Sequence, residues 1–490
     1  MTEKDLKRPI PLWLALAPLV MLIAMLSASV ILFHDNAGYG PNQVALMLAA
    51  GTAAVIGLYL GFSWHDMEEA MVKGIGMALK ACLILLAVGS LIGSWMLAGT
   101  APTIIYYGLG ILDPSWFYAA TLLICAVVAI SIGSSWTTAS TIGLALVGIA
   151  QIMELSLPVT AGAVISGAYF GDKMSPLSDT TNLSPAMVGV DLFEHIRHMA
   201  WTTGPAFLIA LVLFTAIGWN GGGADVQSGS IEEALALLDA NYNITWPALL
   251  PLILLLVMAM RKIPALPTIA LGAVAGCVVA VIWQPTLVQS FGAGDEGFEG
   301  GVATVRAMFV VLANGFVIET GSESLDSLLS RGGSASMLNT VWLVICAMSF
   351  GGVMEHTGLL RRIVDALLKG VRGTASLITT TVLTCIGMNI ITAEQYMSIV
   401  LPGRMYRVEF ARRGLAAKNL SRTLEDAGTM TSALVPWNTC GAFMAATLGV
   451  PTLAYAPFAF VNLLSPVIAI IYGIINFKIV PLEEAEAKPA

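Results

Sequence analysis

Apolar runs long enough to cross a membrane recur along the whole chain, and this feature limits the possible folds more than any other. A helix needs about 20 mostly apolar residues to span the hydrocarbon core of a bilayer. Only 11% of the residues are charged, against roughly 25% in soluble domains. The sequence therefore predicts an all-α polytopic membrane protein. The clearest runs are Leu12–Phe33, Val44–Phe62, Ala78–Leu97, Ala206–Gly218, Trp246–Met260 and Ile269–Trp283.

Several function classes have no support in the sequence. There is no Walker motif, no GxGxxG loop and no Cys/His spacing typical of a metal site, so neither ATP-driven transport nor redox chemistry is indicated. The six cysteines lie in apolar segments without a CxxC pair, which is typical of reduced packing residues. No basic patch suggests nucleic-acid binding. We expect neither enzymatic activity nor a cofactor.

The distribution of basic residues predicts how the chain is oriented. Lys4, Lys7 and Arg8 precede the first apolar run and place the amino terminus in the cytoplasm, because Lys and Arg favour cytoplasmic segments. That run is too long for the core of a signal peptide. The acidic segment 219–244 is predicted to be an extracytoplasmic loop, and residues 478–490 a cytoplasmic tail. The count is about ten transmembrane helices.

Two further apolar stretches are predicted to be re-entrant hairpins. The flanks of the first, 101–112 and 151–158, carry no basic residue, whereas the flanks of the second, 361–372 and 404–422, are both strongly basic. Each pair of flanks therefore fits one face of the membrane, the first outside and the second in the cytoplasm. The tips are predicted near 133–138 and 389–396, and the segment 302–318 is predicted to be interfacial or partly buried.

Sparse internal identities predict that the two halves are repeats. Gly93 aligns with Gly351 at an offset of 258 (351 − 93), which pairs GSSWTT with ITAEQY, and Pro176 aligns with Pro436 at 260 (436 − 176). An odd number of spans between equivalent elements would invert the second copy. Inverted repeats with interrupted helices are the architecture of secondary transporters. The repeats are predicted at 1–218 and 245–477, with broken helices near 171–182 and 432–440.

The segment GDKMSPLSDTTNLSP places two carboxylates within a broken helix. A carboxylate costs roughly 3 kcal/mol at the bilayer centre and tends to be functional there. Pro176 interrupts the helix, so that Asp172 and Asp179 can converge on one point. Carboxylate, hydroxyl and carbonyl oxygens suit Na⁺, and a desolvated carboxylate also takes up H⁺. Both acids are predicted to bind Na⁺ and H⁺ in turn.

Neutral oxygens at the tips and breaks complete the predicted ion or substrate site. In the first half the candidates are Ser134, Ser135, Thr137, Thr180, Thr181 and Asn182. In the second half they are Asn389, Thr392, Glu394, Asn438 and Thr439.

Structural interpretations of the same residues stay open. Asp172 and Lys173 could form a neighbouring buried ion pair, although adjacent helical residues face each other poorly. Ser178 or Asp179 could cap the second half of the broken helix. The hydroxyls at 134–141 could bond back to their own helix. Glu394 could be a single buried acid satisfied by its neighbours.

The segment GAYFGDKMSPLSDTTNLSP resembles the signature of the NhaC family of sodium/proton antiporters, in the ion-transporter superfamily. The similarity extends over most of the chain and includes GSSWTT, ITAEQY and the PWN-T segment. It implies a secondary antiporter of the bacterial inner membrane that exchanges Na⁺ or Li⁺ for H⁺ by alternating access, with Asp172 and Asp179 as ion-site acids.

The same family also contains Na⁺- and H⁺-coupled malate/lactate exchangers and suspected amino-acid carriers, so a carrier of a small organic acid or amino acid is the alternative. A channel or sensor is the third class, and two opposed interrupted helices argue against it. The expected partners are Na⁺ or Li⁺ and H⁺, or a small organic solute, together with the lipid bilayer and a second copy in a homodimer.

Overall fold

The computed structural model describes residues 10–33, 37–221 and 228–482, and these are almost entirely helical. Within these ranges the β-pairing is one isolated bridge between Leu415 and Pro481. The prediction of an all-α membrane protein is confirmed. The basic amino-terminal segment and residues 483–490 of the predicted cytoplasmic tail lie outside the described residues.

The helices of the first half lie between residues 12 and 241. They are Leu12–Phe33, Pro41–Leu60, Trp64–Leu97, Thr100–Ile111, Phe117–Ile132, Ser135–Thr138, a π-helical turn Ala139–Gly143, Leu144–Ile152, Leu157–Met174, Asp179–Val188, Leu192–Gly221 and Ser228–Asn241.

The helices of the second half lie between residues 246 and 475. They are Trp246–Leu249 (3₁₀), Leu250–Met260, Ala265–Trp283, Pro285–Ala293, Gly300–Ala313, Glu323–Leu329, Ser334–Met337 (3₁₀), Leu338–His356, Leu359–Leu368, Thr374–Thr392, Gln395–Arg412, Ala417–Leu424, a π-helical turn Glu425–Thr429, Met430–Ser432, Thr439–Leu448, Thr452–Tyr455, Ala456–Phe458 (3₁₀) and Phe460–Ile475.

Eight of the described helices are long and apolar enough to cross a membrane, or ten if each of two bent pairs counts as one span. One bent pair joins Ile231–Asn241 to Trp246–Met260 at 92°. The predicted loop 219–244 therefore contains a helix. The segment predicted to be interfacial, 302–318, begins within the short apolar helix Gly300–Ala313.

Two parts of the chain have the same order of elements. In the first, Phe117–Ile132 and Ser135–Ile152 meet at a tip formed by residues 133–134 (the first hairpin). A helix interrupted at 175–178 follows (the first broken span, 157–188). In the second, Thr374–Thr392 and Gln395–Arg412 meet at residues 393–394 (the second hairpin), and a helix interrupted at 433–438 follows (the second broken span, 417–448).

The backbone conformations of these two parts agree at a constant offset. Gly133 and Ala393, which are 260 positions apart (393 − 133), both end a helix in the left-handed region, with φ of 73° and 55°. The next residues, Ser134 and Glu394, are both extended N-caps with φ of −151° and −142°. At the tips this register replaces the offset of 258 that the alignment of GSSWTT with ITAEQY suggested. The same offset relates the N-caps Ser178 and Asn438 and the left-handed C-caps Gly189 and Gly449.

The second half-helix of each broken span packs against the hairpin of the other half. Asp179–Val188 lies on Gln395–Arg412 and Ala417–Leu424, while Thr439–Leu448 lies on the π-helical turn of the first hairpin. Gly167 and Gly171 allow the first hairpin to pack closely against its own broken span. A Cβ on Gly171 would lie only 2.5 Å from the Ala126 carbonyl oxygen. The tips and breaks of the two halves thus lie together in the interior.

Candidate functional site

The carboxylate of Asp172 is held by the tip of the first hairpin. The side chain is 7% exposed, and its Oδ2 accepts hydrogen bonds from the Ser135 hydroxyl at 2.7 Å and the Ser135 amide at 3.1 Å. Ser135 is the first residue of a helical segment, so this amide also presents the positive end of a helix dipole. The structure brings Asp172 and Ser135 together as a buried carboxyl group and its donors.

Local sequence explains why the tip forms where it does. Gly133 adopts a positive φ of 73°, which glycine tolerates without a Cβ clash. Ser134 then caps the next helix, because its Oγ accepts from the Thr137 amide at 3.2 Å and the Thr137 hydroxyl at 3.1 Å. A Cβ on Gly133 would lie 2.5 Å from the Leu177 Cβ. The tip is therefore packed directly on the break of the first broken span.

Hydroxyls further along the first hairpin donate hydrogen bonds to carbonyls of their own helix, which is the structural interpretation given above for residues 134–141. Thr138 donates to the Ser134 carbonyl at 2.9 Å, and Ser140 and Thr141 donate to the Thr137 carbonyl at 3.2 and 2.7 Å. Ser135 differs because its hydroxyl reaches Asp172 instead.

Polar residues after the first break satisfy the backbone groups that the break leaves free. The Ser178 hydroxyl caps the half-helix by accepting from the Thr181 amide. The Thr181 hydroxyl lies within hydrogen-bond distance of the Asp172 and Lys173 carbonyls, at 3.2 and 3.0 Å. The Asn182 side chain donates to the Pro176 and Ser178 carbonyls, and Thr180 lies 3.2 Å from the Ser178 hydroxyl. The capping interpretation is confirmed for Ser178.

Asp179 occupies a different environment from Asp172. It is the first residue of the half-helix and is exposed, and its Oδ2 accepts from the Tyr396 hydroxyl at 3.4 Å. The two acids therefore have separate partners, because Pro176 and Leu177 place the half-helix beside the second hairpin. The two carboxylates nevertheless lie close enough to interact electrostatically with each other, and their convergence on one ion stays a prediction. Asp172, Asp179 and Glu394 do all lie close enough to interact electrostatically with Tyr396.

Glu394 is the cap of the second tip. Its buried carboxylate accepts from the backbone amides of Tyr396 and Met397, and not from the predicted neighbours Asn389 and Thr392. The Thr392 hydroxyl donates to the Met388 carbonyl at 2.8 Å.

Asn389 and Asn438 connect the second hairpin to the second broken span. The Asn438 amide group donates to the backbone and side-chain oxygens of Asn389 at 3.2 and 3.1 Å. Asn389 in turn donates to the Gly428 carbonyl at 2.7 Å. Thr439 approaches the tip through its backbone, since its amide donates to the Ala393 carbonyl at 2.9 Å. In the second half, as in the first, the hairpin tip therefore packs directly on the break of the broken span that follows it.

Lys173 forms an ion pair with Asp426, and both side chains are fully buried. The same Asp426 oxygen accepts from the Thr202 hydroxyl at 2.9 Å. The interpretation of Asp172 and Lys173 as a neighbouring ion pair is therefore wrong. Helical geometry directs the lysine away from the adjacent acid and towards the other half of the chain.

Glu425 was missed at the sequence level. It is fully buried beside Asp426 in the π-helical turn, and its Oε1 accepts from the Ser184 hydroxyl at 2.8 Å. The signal was present, because Glu425 and Asp426 are adjacent acids in a segment that leads into an apolar helix. The rule that selected Asp172 applies equally to them.

One aromatic residue at each tip contacts the half-helix of the other half. Trp136 stacks on Phe443 with ring centroids 4.0 Å apart and an interplanar angle of 14°. Tyr396, at the equivalent position (396 − 136 = 260), donates its hydroxyl to the Asp179 carboxylate at 3.4 Å. Tyr396 is exposed, whereas Trp136 is half-buried. The contact at the first tip, Trp136 with Phe443, is therefore packed, whereas the contact at the second tip, Tyr396 with Asp179, is exposed.

Among the residues that the structure describes, no three His, Cys, Asp or Glu side chains form a group suited to a metal ion. A cation at Asp172 would instead meet one carboxylate and the neutral hydroxyl oxygens of Ser135 and Ser178. A small set of hard oxygen ligands suits a monovalent cation that is bound and released as cargo.

Comparison with known proteins gives consistent matches. Residues 167–477 match the model of the Na⁺/H⁺ antiporter family. The Na⁺/H⁺ antiporter NhaC of Alkalihalophilus pseudofirmus is 41% identical over 437 residues, which cover 89% of this chain and 91% of that protein. The malate-2H⁺/Na⁺-lactate antiporter of Bacillus subtilis is 37% identical, with 88% and 89% covered. The arginine/ornithine antiporter ArcD of Halobacterium salinarum is 35% identical, with 97% and 94% covered.

Proposed function

The chain belongs to the Na⁺/H⁺ antiporter family, and we propose that it exchanges Na⁺ or Li⁺ for H⁺ across the bacterial inner membrane by alternating access. The observation that carries this proposal is the buried Asp172 carboxylate, which the Ser135 amide and hydroxyl hold at the junction of a tip and a break. The chain is a transporter and not an enzyme.

Exchange follows from the cost of a buried charge. An ionised Asp172 in the interior is stabilised either by a proton or by Na⁺, and each occupant removes most of the net charge. Binding of one ion therefore favours release of the other. Asp172 is neutralised only when Na⁺ or a proton occupies the site. Movement of the empty, charged site through the membrane is therefore disfavoured.

Asp179 has a different role in this mechanism. Because it is exposed and lies at the amino-terminal end of a half-helix beside Tyr396, it attracts cations on the route to Asp172. Asn389, Asn438 and the capped Glu394 form the opposing wall. Thr181 and Asn182 stabilise the broken backbone instead of binding the ion directly.

The asymmetry between the halves supports alternating access. The Trp136–Phe443 stack closes the side of the first hairpin, while exposed Asp179 and Tyr396 leave the side of the second hairpin open. If the halves are inverted repeats, the opposite state has the two arrangements interchanged. The shared cap geometry at an offset of 260 supports this repeat. The basic flanks of the second hairpin support an orientation in which the open side faces the cytoplasm.

The second candidate function is exchange of a small organic acid or amino acid, because similar antiporters of that kind match nearly the whole chain. A carboxylate substrate needs a cation, and Lys173 is the cation nearest to Asp172 in the chain. Lys173 is engaged by Asp426, which argues against this candidate.

Purified protein in liposomes with an imposed proton gradient tests both functions. Addition of NaCl should dissipate the gradient for the wild type and for Glu296→Gln, an exposed loop control, and Asp172→Asn should abolish the response. Full activity of Asp172→Asn with unchanged apparent Na⁺ affinity would show that the site is misassigned. Uptake of labelled malate, lactate or arginine without any Na⁺-driven proton movement would favour the second candidate.

A further inference from the structure

The π-helical turn Glu425–Thr429 contains buried oxygen atoms that the Asp172 site does not use. Glu425 is fully buried, and its Oε1 accepts from Ser184. Within the described part of the chain, neither Glu425 Oε2 nor the Thr429 hydroxyl makes a well-formed hydrogen bond, although the two side chains lie close enough to each other to interact. Turns of this type inside α-helices are frequent at functional sites.

The charged groups near Glu425 are bonded to other residues, although Arg422 Nε, His195 Nε2 and Asp426 Oδ2 have no partner among the described residues. Lys173, from the first broken span, is paired with Asp426, and Arg422 donates to the Lys478 carbonyl. His195, from the helix Leu192–Gly221, contacts the Ser421 hydroxyl at 2.9 Å. No cation in these contacts is bonded to Glu425. The carboxylate of Asp172 is also close enough to interact with it.

An unpartnered carboxylate oxygen in the interior is costly unless something neutralises it. A proton on Oε2 would remove the charge, and the protonated group could donate to the neighbouring Thr429 hydroxyl. A hydrogen bond from Thr429 to the ionised carboxylate would satisfy both atoms but would leave the buried charge. Na⁺ would need several further oxygen ligands. The observed contacts therefore suit a proton better than a metal ion.

Building on the proposed function, we propose that Glu425 is a second exchangeable carboxylate, which holds a further counter-transported proton in addition to the one that competes with Na⁺ at Asp172. Ser184 belongs to the half-helix of the first broken span, whereas Glu425 belongs to the second. A change in protonation at Glu425 is thus sensed directly by the element that follows Asp172, which couples the two sites.

Glu425→Gln is the critical variant, because glutamine has nearly the same shape, keeps an acceptor for Ser184 and is permanently neutral. In liposomes this variant should move about half as many protons per Na⁺ as the wild type while retaining ²²Na⁺/Na⁺ exchange. Asp172→Asn should lose both activities, and Glu296→Gln should lose neither. Equal loss of both fluxes in Glu425→Gln, or retention of both, would overturn the proposal.

Infrared spectroscopy gives a readout that does not depend on transport. At neutral pH the wild type should show the carbonyl band of a protonated carboxyl group, and Glu425→Gln should lack part of that band. Identical bands in the two proteins would overturn the proposal even if antiport is observed. Absence of Na⁺-driven proton movement in the wild type would instead contradict the proposed function, and the infrared comparison would still decide the state of Glu425.

Discussion

Lys173 and Asp426, which are 253 positions apart in the chain, form a fully buried ion pair between the two broken spans. Thr202 adds a hydrogen bond to the same carboxylate. Each charge is thus neutralised by a group from the other half of the protein. The pair fixes the two broken spans to each other close to Asp172, the residue adjacent to Lys173.

Removal of one partner from this pair should be strongly destabilising. Lys173→Met leaves the Asp426 carboxylate buried and unpaired, which typically costs about 3–5 kcal/mol. Lys418→Met is the matched control, because its pair with Glu194 is partly exposed and such pairs contribute about 0–1 kcal/mol. Thermal unfolding in detergent should show a large loss of Tm for Lys173→Met and a small one for Lys418→Met. Similar losses would contradict the importance of the buried pair.

The tip of the first hairpin should not tolerate a side chain at position 133. In Gly133→Ala the new Cβ would lie 2.5 Å from the Leu177 Cβ. The alanine backbone would also have to adopt a φ of 73°. The tip should separate from the break, and Asp172 should lose its donors. Gly387→Ala is the control, since no atom lies within 4 Å of its added Cβ. Na⁺-driven proton movement should fall at least tenfold in the first variant and stay near the wild-type level in the second.

Local sequence explains why one helix ends at Ile132 and another at Met174. Glycine at 133, proline at 176 and the capping serine at 178 determine local backbone geometry through sterics and hydrogen bonds that span a few residues. These features therefore act in the same way in any tertiary context. The number of spans and the inversion of the repeat are not determined by such local rules.

Long-range partners could not be predicted from the same patterns. Nothing near Lys173 indicates that its partner is Asp426, because the choice depends on how two distant helices cross. The exposure of Asp179 has a similar origin, since packing against the second hairpin decides which face of the half-helix is covered. Glu425 could have been found by treating every acid in an apolar segment alike.

The Ser135 hydroxyl should contribute directly to ion binding. Ser135→Ala removes the 2.7 Å hydrogen bond to Asp172, and a hydrogen bond to a charged group contributes roughly 1.5–3 kcal/mol. We expect the apparent Na⁺ affinity to fall by about tenfold or more. Ser140→Ala, which only loses a bond to the Thr137 carbonyl of its own helix, should leave the affinity within about twofold. Equal affinities of the two variants in the liposome assay would exclude a role for Ser135 in the site.

Equivalent positions on the two half-helices should differ in access to water. Asn182 is exposed, whereas Ala442, its equivalent at an offset of 260 (442 − 182), is 4% exposed. In everted vesicles, which present the cytoplasmic face, a membrane-impermeant maleimide should label Asn182→Cys and not Ala442→Cys. The six native cysteines are free and buried, so the wild-type protein provides the unlabelled background.

Loss of the Trp136–Phe443 stack should change this pattern in one direction. Trp136→Ala removes the ring that covers Phe443, next to Ala442 on the same half-helix. Ala442→Cys should then become reactive in right-side-out vesicles, which present the other face. Tyr396→Ala is the matched control, because it lies at the equivalent tip position on the side that is already open, and it should leave Ala442→Cys protected. Labelling of Ala442→Cys to the same extent with and without Trp136 would show that this stack does not close the first-hairpin side.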